Sequence, residues 1–244
     1  ASIIRDHSGD IHFSKKDMRI GYVPQEIALE ETLSARDNLK FFGKLYGLTG
    51  KKLNERMGKV LTQIGLASRA KDKVATFSGG MKRRLNIGCA LLHEPNLIIM
   101  DEPTVGIDPQ SRKYIFQMID QLKQEGCTIL YASHYMEEIE ELCDAAAFID
   151  HGKIVEKGEL AEILNKHAAP AVFVKGESSI PSVVEGNCFE TQGGYVINTR
   201  NPLETMTEII TYCKNRGYLP DRLELVKPRL EDVFFTLTGK QLRD

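Results

Sequence analysis

The sequence predicts an α/β protein in which a parallel β-sheet with helices carries a helical subdomain, followed by a small C-terminal α+β extension. Three observations predict it. After Pro95 the text alternates strand and helix, with "LIIM" at 97–100, a helical run at 109–125 and "CTILYAS" at 127–133. Strands that alternate with helices in this way pair in parallel. Ahead of the alternation, residues from about 26 to 94 follow a helical period. Beyond the linker-like "KHAAPA" at 166–171, strand text restarts with "AVFVKG". The expected division is therefore a first domain at 1–167, with the helical subdomain at about 26–94, and an accessory domain at 168–244. A chain of 244 residues, 42% hydrophobic, can bury a full core in the first and a smaller one in the second.

In chain order, 9–13 and 19–23 read as short strands leading to Pro24-Gln25. Ser34 with Asp37 three residues on has the form of an N-cap with a capping acid. The helix it opens carries Leu39, Phe42 and Leu45 on its apolar face and stops at Gly47. Leu53, Met57, Val60, Leu61 and Ile64 repeat at helical spacing in a second helix, closed by Gly65. A third follows Ser78-Gly79-Gly80, with Met81, Leu85, Cys89 and Leu92 expected inward and Lys82, Arg83 and Arg84 mostly outward. The 109–125 helix turns Ile115, Met118, Ile119 and Leu122 inward. A short helix is expected at 136–142, then the hairpin "AFIDHGKIVEKG" turning at His151-Gly152. The extension reads as strands "AVFVKG" and "GYVINT", a helix with Leu203, Met206, Ile209, Ile210 and Cys213 on one side, the strand "LELV" and a last helix ending at Gly239. There are no internal repeats and no low-complexity tracts.

A net charge of −2 provides no general basic field, which argues against bulk nucleic-acid binding. The five cysteines, Cys89, Cys127, Cys143, Cys188 and Cys213, form no CxxC pair and read as core thiols in a reducing compartment. The longest apolar runs fall far below the ~20 residues of a membrane helix.

Polar groups suited to chemistry gather at predicted strand ends. Asp101-Glu102 follows a buried parallel strand, where α/β proteins bind ligands. One carboxylate can hold hydrated Mg²⁺ and its neighbour can polarise a water for in-line attack on phosphorus. The same Asp-Glu-Pro-Thr stretch also suits a plain capped turn. His134 follows another strand end and can stabilise charge on a phosphate or serve a structural bond. Gln25, at a third strand end, offers an amide to a metal or a water, or is simply a loop residue. Ser78-Gly79-Gly80 before a helix makes an anion site from backbone amides and the helix dipole, or a serine-capped turn. Asp108-Pro109 starts a helix in any reading.

Taken together in order, Gln25 after a strand, "FSGGM" at 77–81, "NLIIMDEPTVGID" at 96–108 and "YASHYMEE" at 131–138 resemble the Q-loop, signature, Walker B, D-loop and switch histidine of ABC-transporter ATP-binding subunits. The likeness runs from about residue 9 to 158. "FSGGMKRRL" and "DEPTVGIDPQSR" are similar to the drug-resistance and antibiotic-exporter branch, as is the tail "PRLEDVFFTLTGKQLRD". The resemblance implies a P-loop NTPase-like ABC ATPase core that uses ATP and Mg²⁺. In it Asp101 handles the metal, Glu102 is the general base or water-orienting residue, His134 contacts the γ-phosphate, and Gln25 links the metal site to the membrane partner. Ser78, Gly79 and Gly80 would contact ATP held by the opposite subunit of a head-to-tail homo- or heterodimer, with Asp108 crossing the same interface. It further implies a separate membrane-spanning permease subunit, reached through the helical stretch between Gln25 and Ser78 at the cytoplasmic face, and export of drug- or antibiotic-like molecules.

Phe77 and Met81 replace the family's commoner Leu and Gln, and Gly106-Ile107-Asp108 replaces its commoner D-loop. A larger departure is that no GxxxxGK[ST] string occurs; "YGLTGKKL" has Lys52 where Ser or Thr belongs and Leu45 where the first Gly belongs. "ASIIRDH" resembles the last turns of the helix such a loop starts, so the expectation is a subunit truncated ahead of Ala1. These residues alone would then be inactive as an ATPase. The alternative is a non-catalytic half-site that completes a partner subunit's ATP site. Soluble relatives acting on chromosomes or ribosomes are set aside, for want of a long coiled coil or a second cassette in this text.

Overall fold

A computed structural model describes residues 18–167, 170–176, 187–191, 193–226 and 229–238. The expected strand at 9–13, the "ASIIRDH" segment and Gly239 lie outside them. The chain forms two compact units that part between His134 and Tyr135.

In the first unit, β1 (Ile20–Val23), β2 (Leu97–Asp101) and β3 (Thr128–Ala132) form a parallel sheet in the order β1-β2-β3. Parallel neighbours require long crossovers. The first is supplied by α1 (Ala35–Leu45), α2 (Gly50–Gln63) and α3 (Gly79–Leu91), the second by α4 (Pro109–Gln124). Val23 registers with Met100 and Met100 with Tyr131, so the three strands end along one edge. Ile98 and Met100 of β2 are buried, with Leu97 and Ile99 half-buried. Among the described residues β3 is an edge strand, and Leu130 is exposed.

Three helices, α1, α3 and α4, begin where a side chain satisfies an otherwise unpaired amide. Ser34 Oγ accepts from the Asp37 amide at 3.1 Å, and its hydroxyl donates back to the Asp37 carboxylate. Along α2 the expected stripe Leu53, Met57, Val60, Leu61 and Ile64 is buried throughout. Two expectations for this unit need correction. Leu45 is 66% exposed, because the buried stripe of α1 follows Ala35, Asn38, Leu39 and Gly43, and Leu45 has turned away from it. Arg83 is not outward but 4% exposed, because α3 is buried on nearly all sides: Leu85 and Cys89 line one face and Ile87 and Leu91 another.

The second unit opens with α5 (Met136–Leu142) and the antiparallel hairpin β4 (Ala145–Asp150) and β5 (Lys153–Glu159). The hairpin turns at His151 and Gly152, whose φ angles of 46° and 74° are the left-handed pair a two-residue turn needs. Then come α6 (Leu160–His167), β6 (Ala171–Lys175), β7 (Asn187–Thr191), β8 (Gly194–Asn198), α7 (Pro202–Arg216), β9 (Arg222–Val226) and α8 (Leu230–Thr238). The last four strands form an antiparallel sheet ordered β7-β8-β6-β9. Val172, Val174 and Ile197 of the sheet pack with Ile209 and Cys213 of α7. Leu203 and Ile210, expected on that face, are 70% and 52% exposed; the buried stripe of α7 is the narrower Thr205, Ile209 and Cys213. Phe148 of β4 meets Phe234 of α8 edge to face. All five cysteines are free thiols, but only Cys89 and Cys213 are core residues, and Cys188 is exposed. No described helix is long and apolar enough to cross a membrane.

Candidate functional site

The ends of β2 and β3 create the first grouping. Glu102 follows Asp101, the last residue of β2, and its amide donates to Ala132 O at 2.9 Å, carrying the β2–β3 ladder one step past the strand. Its backbone stands at φ 44°, a left-handed conformation that side-chain-bearing residues adopt at a cost of about 1–2 kcal/mol. That twist is associated with a particular contact. Glu102 Oε1 accepts from the backbone amide of His134 at 2.9 Å and bonds its Nδ1 at 2.8 Å. A carboxylate only accepts, so the proton of this bond resides on Nδ1 and Nε2 is the imidazole's remaining nitrogen. Glu102 Oε2 is buried and has no hydrogen-bond partner. The carboxylate therefore holds the histidine with one oxygen and keeps the other unspent.

Asp101 sits half-buried beside this pair. Gln25 is exposed at the bend following β1 and Pro24, the third strand end on the same edge of the sheet. The carboxylate of Asp101 and the amide oxygen of Gln25 are hard oxygen donors of the kind Mg²⁺ takes. No group of three or more His, Cys, Asp or Glu in a metal-binding arrangement occurs among the described residues. That donor set suits a cation held by one or two protein oxygens with water and phosphate completing its shell.

The second grouping lies at helix N-termini. Ser78 is the N-cap of α3, its Oγ accepting from the Met81 amide at 3.3 Å. Asp108 is the N-cap of α4, accepting from the Ser111 amide at 2.9 Å, and this bond holds its carboxyl below the ordinary range. The two N-termini meet at Gly80. A Cβ placed there would lie 2.0 Å from Ser111 Oγ and 3.1 Å from Asp108 Oδ1, so only glycine allows the approach. A Cβ on Gly79 would meet nothing within 4 Å, which keeps that stretch of backbone open.

Of the residues singled out from sequence, Glu102 is thus joined to His134 and Gly80 to Asp108, while Ser78 and Asp108 each also perform the local capping role. Sequence reasoning missed Arg83. Its guanidinium donates from Nη1 to Pro24 O at 2.7 Å and from Nη2 to Gln25 O. The available signal was Ile87, four residues further along α3, which marks a second apolar stripe that includes position 83.

A sequence model of the family described as "ABC transporter" matches residues 3–105. The chain is 41% identical over 242 residues to the linearmycin resistance ATP-binding protein LnrL of Bacillus subtilis (strain 168), covering 95% of this chain and 78% of that protein. It is 36% identical to the Nod factor export ATP-binding protein I of Cupriavidus metallidurans, covering 93% and 75%. A solved structure described as an ATP binding subunit of an ABC transporter superposes with a TM-score of 0.54 at 31% identity, over 61% of this chain and 62% of that one. At this identity over most of both chains, the chain belongs to the family of ABC transporter ATP-binding proteins.

Proposed function

We propose that this chain is the ATP-hydrolysing subunit of an exporter of drug- or antibiotic-like molecules, acting with a membrane-spanning permease and a second ATP-binding subunit at the cytoplasmic face. The observation that carries the reading is the Glu102–His134 pair on neighbouring parallel strand ends, with Glu102 Oε2 buried and unpartnered. The names of the relatives support export. In this reading Asp101 and Gln25 hold Mg²⁺, which neutralises phosphate oxygens when bound. Glu102 Oε2 orients the attacking water and receives its proton as the new oxygen–phosphorus bond forms and ADP leaves. His134, fixed through Nδ1, meets the γ-phosphate. Ser78, Gly79 and Gly80 offer amides to ATP on the second subunit, and Asp108 lies at the same junction. The functional boundary to the accessory region is proposed at 167/168, apart from the 134/135 division between the compact units.

The decisive experiment is Glu102→Gln in the subunit assembled with its permease. Phosphate release is expected to fall by about 10²–10⁴-fold, with a nucleotide-bound dimer accumulating on size exclusion; unimpaired turnover refutes the assignment of the base. A second reading, a half-site serving only the partner's ATP, draws on the open backbone at Gly79. The half-site reading predicts that Glu102→Gln leaves turnover intact while a bulky substitution at Gly79 abolishes it.

A further inference from the structure

We infer that Arg83 is a positioning residue that sets where Gln25 stands, with Asn86 completing the same clamp one turn further along α3. The inference rests on the ATPase reading above, in which Gln25 serves the metal and the water. Arg83 acts on backbone: its two terminal nitrogens donate to the consecutive carbonyls of Pro24 and Gln25. Asn86 Oδ1 accepts from the Ala28 amide at 3.3 Å. Both side chains are 4% exposed and lie three residues apart, on one face of the helix. Between them they tie both ends of 24–28, a stretch that has no regular secondary structure to fix it.

The chemistry suits a clamp better than it suits an ion pair. Among the described residues no carboxylate pairs with the Arg83 guanidinium, so a buried positive charge is offset by the carbonyl oxygens of the Gln25 segment. Burial also pulls its pKa below the ordinary arginine range. A planar fork can serve two adjacent carbonyls at fixed geometry, which a lysine ammonium cannot. Because α3 begins at Ser78-Gly79-Gly80, the same rigid helix joins the Gln25 segment to the anion-binding N-terminus.

The test is a double-mutant cycle on ATP turnover by the assembled transporter, with Arg83→Met, Gln25→Ala and the pair. A misplacement of about 1 Å can cost about 10²-fold, so Arg83→Met is expected to lower kcat between about 10- and 100-fold while KM for ATP moves less. If Arg83 acts through Gln25, the double variant is no slower than Gln25→Ala. Losses that multiply overturn the clamp and leave the role of Gln25 standing. Wild-type turnover in Gln25→Ala removes that role and the inference with it. Should Arg83→Met not fold, Arg83→Lys keeps the charge but replaces the fork with a single donor nitrogen. Its amides at 25–28 should exchange with deuterium faster while the rest of the chain is unchanged, and unaltered exchange there overturns the proposal.

Discussion

At the scale of single residues, neighbouring glycines of one motif have opposite physical reasons for being there. Gly80 is a packing residue, since any Cβ would drive into Ser111 and Asp108, whereas Gly79 faces open space. Gly80→Ala is therefore expected to destabilise the subunit by about 1–3 kcal/mol, the usual penalty of an overpacked contact, seen as a lowered midpoint in thermal unfolding. Gly79→Ala should leave that midpoint unchanged, and any loss in nucleotide-dependent dimerisation then reports on ligand contact alone. Equal destabilisation by both would contradict the assignment. Glu102 is distinctive for its backbone: its left-handed φ accompanies a carboxylate that reaches both the amide and the ring of His134.

At the scale of elements, β5 and α6 are tied by a carboxylate. Glu156 of β5 bonds Lys166 at 2.7 Å and His167 in the last turn of α6, where cations also favour the helix dipole. Its carboxyl is lowered from 4.5 to about 2, first by Lys166, then by His167 and the Lys157 amide. A folded-state pKa below the unfolded one contributes stability that is fully present above the unfolded value. That contribution declines as pH falls from 4.5 and is gone below about 2. The stability difference between the wild type and Glu156→Gln should therefore be constant above pH ~5 and close towards pH ~2, as followed by chemical denaturation across that range. A difference that persists unchanged to the acid limit would exclude an ionic role for Glu156.

At the scale of the whole molecule, charge sets what the chain attracts. With 32 basic and 34 acidic residues the net charge is −2, so counterion release from nucleic acid has no broad surface to act through. Fluorescence anisotropy with a duplex oligonucleotide at ~0.15 M salt is expected to show no binding up to roughly 10⁻⁴ M protein, the weak end of ordinary non-specific affinity. Salt-dependent binding at micromolar concentration would require a partner class that this reading leaves out.

Much of the fold was legible in the order of residues. The stripe of α2, the caps at Ser34 and Asp108, the hairpin turn at His151-Gly152 and the parallel strands around "LIIM" all follow from local periodicity, capping chemistry and turn preference. These are set by neighbours a few residues away, and such interactions are written in one dimension. The candidate site residues were proposed from the order and spacing of the motifs, through a resemblance rather than through local physics. Leu45, Leu203, Ile210 and Arg83 were misplaced for a different reason. Periodicity tells which side chains share a face, but not which faces meet protein: Leu203 and Ile210 face solvent, and Arg83 is enclosed because α3 is surrounded on nearly all sides. The bond between Glu102 and His134 and the grip of Arg83 on Pro24 and Gln25 join residues 32 and 58 or more positions apart. Only the folded chain, by bringing distant segments into one register, could decide them.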